Sequence, residues 1–165
     1  MKPILVLCLG NEVLSDDSFG FHVAQRLICA GATDDQADIM FSSIAGFSLL
    51  DLLTGRSRVL VVDTIQTGAR PGTIHFFPAG NLTPSRHLII SHQISLPTAI
   101  ALGRLIGLEM PETIDVLSVE AKDVETLSES MTPEIGASLD EAVVRVGEWI
   151  SAQRVCVSDL ARVPV

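Results

Sequence analysis

The apolar positions along the chain fall into short continuous runs separated by helical patterns. Residues 3–9, PILVLCL, form an unbroken apolar run. That is the pattern of a central parallel strand covered on both faces. A helix is predicted over about 18–30, with Phe19, Val23, Leu27 and Cys29 or Ala30 at helical spacing and Gly31 stopping it. ADIMFSS (37–43) reads as a second strand and FSLLDLLTG (47–55) as a short helix ending at Gly55. SRVLVVDTI (57–65) is a third strand, apolar until Asp63.

The next connection is short. Only about nine residues, including TGARPG, separate Asp63 from Thr73, where a fourth strand begins. A parallel crossover needs roughly a dozen residues or more. The fourth strand is therefore predicted to run antiparallel to the third. Residues 79–91, with Asn81 and Pro84, read as a loop. Pro97 suits the first turn of a helix that runs to about Leu108. ETIDVLSVEA (112–121) is a fifth strand. Residues 132–150 form an amphipathic helix with Thr132 at its cap and Glu134 in its first turn. The tail 152–165 has no clear period. The alternation of strands and helices predicts a three-layer α/β/α sandwich around a mostly parallel sheet. A chain of 165 residues fits one domain, 1–165, with no linker or repeat.

Composition narrows the function classes. The apolar fraction is 47% and the charged fraction 19%, which fits a packed core and not disorder. The net charge is −9. Nucleic-acid binding rests on Lys and Arg neutralising phosphates, so an acidic chain is a poor candidate for it, and for anionic membrane surfaces. No apolar run approaches the ~20 residues of a membrane span, and no signal peptide is read near Lys2. Cys8, Cys29 and Cys156 are odd in number and far apart, so neither a disulfide framework nor a structural zinc site is expected, and a reducing cytoplasm is. Cys8 and Cys29 are read as buried hydrophobes.

The candidate chemistry sits where the apolar runs end. In an open α/β sheet, ligands bind outside the carboxyl ends of the strands, at a switch point. The first run opens at Gly10 into a loop carrying Asn11, Asp16 and Asp17, and the third ends at Asp63. If those strands are neighbours, the carboxylates meet across one crevice, and His92 in SHQISL could reach the same edge. Two carboxylates and an imidazole suit zinc, nickel, iron or manganese. Each residue also has a plainer reading. Asp16 or Asp17 could cap the helix, Asp63 could bond loop amides, and His92 could be structural. His22, His75 and His87 read as surface or satisfied residues.

The segments taken together are more specific. GNEVLSDDSFG, SSIAGFSLLDLL, VLVVDTIQTGARPGTI, SHQISL and VLSVEAKDVETLSESMTPEI, in that order, resemble the motifs of the hydrogenase maturation endopeptidases from Lys2 to about Ile150. On these motifs the chain is identified as a member. The resemblance implies a phosphorylase/hydrolase-like sandwich with a five-stranded mixed sheet in order 2-1-3-5-4, strand four antiparallel. It implies an endopeptidase that clips a C-terminal extension from the large-subunit precursor of a nickel–iron hydrogenase once nickel is in place. It maps the family's metal-binding and catalytic residues onto Asp17, Asp63 and His92. Gly10, Asn11 and Asp16 become neighbours of the site or contacts to the substrate. Nickel would arrive in the substrate, no organic cofactor is implied, a water would be the nucleophile, and Asp17 or Asp16 could be the general base. The chain is small and self-contained, so a monomer meeting its precursor transiently is expected. A non-catalytic metal checkpoint on the same precursor is the alternative. Ser18, Ser42, Ser43 and Ala121 depart from the family pattern: Ser18 would carry a cost if its backbone needed positive φ, and Ser42 and Ser43 put close approach of the substrate in question.

Overall fold

The computed structural model describes residues 3–35, 37–43, 46–81 and 96–160. Its centre is a five-stranded sheet in the order β2-β1-β3-β5-β4, with β1 Ile4–Leu9, β2 Ala37–Ser42, β3 Arg58–Ile65, β4 Ile74–Pro78 and β5 Thr113–Glu120. The strands β2, β1, β3 and β5 pair in parallel, and β4 pairs antiparallel with β5. The short β3–β4 connection forces that reversal, as expected from its length.

The continuous apolar runs are explained by what lies on each face. Ile4, Val6 and Cys8 of β1 join one core cluster, with α1 (Phe19–Cys29) and α4 (Pro133–Leu160) packed over it. Leu5, Leu7 and Leu9 join the other, under α2 (Leu49–Leu53) and α3 (Leu96–Leu105). Successive side chains point to opposite faces, so a strand with two covered faces must be apolar throughout. β3 follows the same rule, with Leu60 and Val62 in the first cluster and Val59 and Val61 in the second.

β3 ends at Ile65 as expected, and two other readings are overturned, the end of α4 and the burial of Cys29. β5 pairs with β3 along its whole length, as far as Ile65↔Glu120. The pairing of β3 with β1 stops at Cys8↔Val62. Asp63 is thus the first β3 residue beyond the β1 ladder, facing the crevice from inside a strand. α4 continues past residue 150 to Leu160. No Gly or Pro interrupts 151–160, and a helix already nucleated propagates cheaply through such residues even without an amphipathic period. Cys29 is exposed, not buried. The inward stripe of α1 is Phe19, Gly20, Val23, Ala24 and Leu27, and Cys29 falls off it. Cys8 is buried as expected.

Candidate active site

The β1–α1 loop is folded by its glycines. Gly10 has φ +138°, and a Cβ there would lie 2.1 Å from the Asp17 carbonyl oxygen. A Cβ on Gly20 would lie 2.1 Å from the Leu9 carbonyl oxygen. Only residues without a side chain let the loop fold back this tightly. Asn11 then closes it: its amide donates to the Asp17 carbonyl (3.1 Å), and its Oδ1 accepts from the Val13 amide (3.2 Å). Ser18 adopts φ −72° and ψ −4°. Its backbone is ordinary helical geometry, so the feared cost of a missing glycine does not arise. Its hydroxyl donates to the Ser15 carbonyl at 2.6 Å. Ser42 ends β2 as a buried residue and Ser43 is exposed.

The neighbours Asp16 and Asp17 do different things. Neither side chain caps the short 3₁₀ turn Asp16–Ser18 or α1. Asp16 is fully buried. Its carboxylate accepts from the amides of Lys122 (2.9 Å), Asp123 (2.8 Å) and Thr132 (2.7 Å) and from the Thr132 hydroxyl (3.1 Å). It therefore ties the β1–α1 loop to the β5–α4 loop. Thr132 stands at the start of α4 as expected, with its carbonyl taking the Ile135 and Gly136 amides, but its hydroxyl serves Asp16 and not the helix.

Asp17 is half-buried, and one oxygen accepts from the Thr64 hydroxyl at 3.1 Å. Burial raises its carboxyl above the ordinary value, against the Thr64 hydroxyl and the Asn11 amide. Asp63 is 7% exposed, and one oxygen accepts from the Thr64 amide at 2.7 Å. Burial pushes its carboxyl up to about 7; the Thr64 amide opposes this and the charge of Asp17 adds to it. Thr64 thus links both acids, its amide to one and its hydroxyl to the other. The structure brings Asp17 and Asp63 together as a poorly compensated pair. Such a pair favours a proton or a cation between its members. Its hard oxygen donors fit a divalent metal. His92 lies outside the described residues, as does His87. Among the described residues no group of three or more His, Cys, Asp and Glu side chains could hold a metal ion.

Cys8 sits nearby on the opposite face of the sheet. Burial, then the charge of Asp63, holds its thiol well above its ordinary value. A thiol kept protonated is a poor nucleophile.

Glu120 is a residue that sequence reasoning missed. It is 2% exposed, at the end of β5. Its carboxylate accepts from the amides of Thr67 (2.6 Å), Gly68 (2.7 Å) and Ala69 (3.2 Å) and from the Thr67 hydroxyl (2.8 Å). Burial works to raise this carboxyl, but the Thr67 hydroxyl and the Gly68 and Thr67 amides outweigh it and leave it below its ordinary value. The turn Arg70–Thr73 is closed by the Thr73 amide on the Arg70 carbonyl (3.1 Å), with Pro71 and then Gly72 at φ +85° in its centre. That is a type II turn. The Gly72 amide and the Thr73 carbonyl both pair with the Glu120 backbone, forming a glycine bulge that starts β4. The signal for Glu120 was its parity: Ile114 and Val116 are core residues on one face, so Ser118 and Glu120 put polar groups on a face that should be apolar.

His75 is half-exposed on β4, in keeping with its reading as a surface residue, but one end of its ring is buried. Its Nε2 lies 3.4 Å from a Glu120 oxygen already engaged by the turn, outside good hydrogen-bond geometry. His22 is half-exposed on α1, stacked edge-on against Phe21.

A family model described as hydrogenase maturation protease matches residues 21–149. The chain belongs to that family. The hydrogenase expression/formation protein HupD of Bradyrhizobium diazoefficiens is 26% identical over 153 residues, covering 88% of this chain and 79% of that protein. The hydrogenase 2 maturation protease of Escherichia coli K12 is 26% identical over 145 residues, 87% of each chain. Among solved structures, the hydrogenase maturating endopeptidase HybD from E. coli superposes with a TM-score of 0.71 at 24% identity, over 88% of this chain and 90% of that one. The maturation protease HycI from Thermococcus kodakarensis gives 0.68 at 18%, over 91% and 93%. The fold and sheet order of these maturation proteases are those described above. By family, the chain is an endopeptidase of hydrogenase maturation. Among the described residues no helix is long and apolar enough to cross a membrane.

Proposed function

We propose that this maturation protease removes the C-terminal extension of a nickel-loaded [NiFe]-hydrogenase large-subunit precursor, with Asp17, Asp63 and His92 reading the nickel that the precursor carries. The observation that supports this most is the Asp17–Asp63 pair: two carboxylates joined through Thr64 at the crevice beyond the β1 ladder, neither fully hydrogen-bonded among the described residues. Nickel belongs to the substrate in this reading, and no organic cofactor is used. In the free protein burial pushes the Asp63 carboxyl up to about 7, so a proton stands where the precursor's cation would be held, and binding that cation would displace it. Asp16 has its oxygens committed to the β5–α4 loop, so it holds Asp17 in place and leaves the cation to the pair. The protein acts as a single domain, a monomer that meets its precursor transiently in the cytoplasm.

The test uses purified precursor with and without nickel and reads the released C-terminal peptide by mass. The proposal expects release only from loaded precursor, and no release with Asp17→Ala, Asp63→Ala or His92→Ala. Nickel-dependent binding without release would instead favour a non-catalytic checkpoint. Release from nickel-free precursor at the same rate would remove the metal-reading role.

A further inference from the structure

One polar row crosses the sheet beside the site. β3 and β5 align Asp63 with Ser118, and β5 and β4 align Ser118 with His75. All three share the parity of the face that carries Val61, Val116 and Phe77. They therefore stand side by side on the α2/α3 face of the sheet. Ser118 is completely buried, and its Oγ makes no hydrogen bond. The next atom along the row, His75 Nε2, is also buried, and its nearest acidic neighbour is a Glu120 oxygen at 3.4 Å, outside good hydrogen-bond geometry. A buried hydroxyl without a partner is costly, and alanine at the same place would be free of that cost. Such orphans in a native fold call for a reason.

The reason lies in what Ser118 adjoins. Thr64 holds one Asp63 oxygen, and no described residue donates to the other. Neighbouring strands are about 4.8 Å apart, so rotation about the Ser118 Cα–Cβ bond turns Oγ toward the Asp63 carboxylate. From the opposite strand, His75 Nε2–H can donate to the same Oγ and set its direction. We propose that Ser118 is a positioning residue for Asp63: its hydroxyl is a donor held in reserve, engaging the second Asp63 oxygen when substrate is bound, with His75 orienting it. Hydrogen bonds of this kind are often long or unmade in the free enzyme and tighten in the complex with substrate. This rests on the proposed role of Asp63.

The experiment compares wild type, Ser118→Ala, Ser118→Cys and Ser118→Thr in melting temperature and in steady-state cleavage of nickel-loaded precursor. Removing an orphan hydroxyl leaves the melting temperature of S118A equal to or above wild type. Its kcat falls about tenfold, the loss of one hydrogen bond worth about 1.4 kcal/mol, while KM is unchanged. S118C, which keeps the volume without a good donor, behaves like S118A, and S118T recovers kcat. An unchanged kcat in S118A and S118C overturns the proposal. So does a fall in melting temperature matched by equal loss of activity in all three variants, which would mark Ser118 as packing alone. If wild type itself cleaves no loaded precursor, the assignment of function fails first, and the positioning role fails with it.

Discussion

The molecule has two kinds of buried or half-buried carboxylate, and they sit within a few residues of each other. Asp16 and Glu120 are saturated: each gathers several backbone amides and a threonine hydroxyl, and each pins a loop. Asp17 and Asp63 are starved: among the described residues Thr64 is the side chain or amide that bonds each, with only the Asn11 amide helping Asp17, and both carboxyls are pushed up by burial. A buried charge that is fully bonded builds structure. A buried charge left short of partners costs stability and awaits a cation or a proton. The difference assigns architecture to one pair and chemistry to the other.

Substitutions can break this contrast. The largest effect is expected from Asp16→Ala, which strands the Lys122, Asp123 and Thr132 donors; unfolding in urea should show a loss of about 3–5 kcal/mol. Asp63→Asn should act in the opposite direction. The native carboxyl binds its proton up to about pH 7, whereas the unfolded one releases it near pH 4. Wild-type stability is therefore intact below about pH 4, falls as pH rises between those values, and stays reduced above them. At pH 8 the asparagine variant should be more stable by on the order of 2–4 kcal/mol, and the gain should vanish near pH 4. Equal stability of the two proteins at pH 8 would mean that Asp63 is not starved. Glu120→Gln replaces an acceptor oxygen with a donor facing other donors. A loss of about 1–3 kcal/mol is expected, with faster hydrogen exchange confined to the amides of Thr67, Gly68 and Ala69. The smallest change is Thr64→Val, which removes only the hydroxyl bond to Asp17. It should cost about 1 kcal/mol and shift the titration of Asp17 further upward, read by carboxyl NMR.

The contrast also shows how far residues alone could be read. The two-sided apolar runs of β1 and β3 announced a covered parallel sheet, and the short span between Asp63 and Thr73 announced an antiparallel β4. The place of Asp63 at the crevice was legible too, although it faces that crevice from within a strand, since β5 outruns β1. What could not be read was which of two adjacent aspartates was bonded. Asp16 finds its donors more than a hundred residues away in the chain, and nothing local separates it from Asp17. Ser18 looked costly because the loop's tolerance depends on Gly10 and Gly20, the positions where backbone meets backbone. Glu120 was hidden for the same reason as Asp16: its partners lie in a turn some fifty residues earlier. The end of α4 was missed because continuing a helix needs only the absence of a breaker.

The most direct test of the division between structural and chemical acids is cleavage of nickel-loaded precursor by Asp63→Asn, measured at pH 8 on protein shown to be folded. The account predicts a variant more stable than wild type that releases no C-terminal peptide. Release at the wild-type rate would contradict it, because the carboxylate that burial leaves most exposed to protonation would then have no part in the reaction.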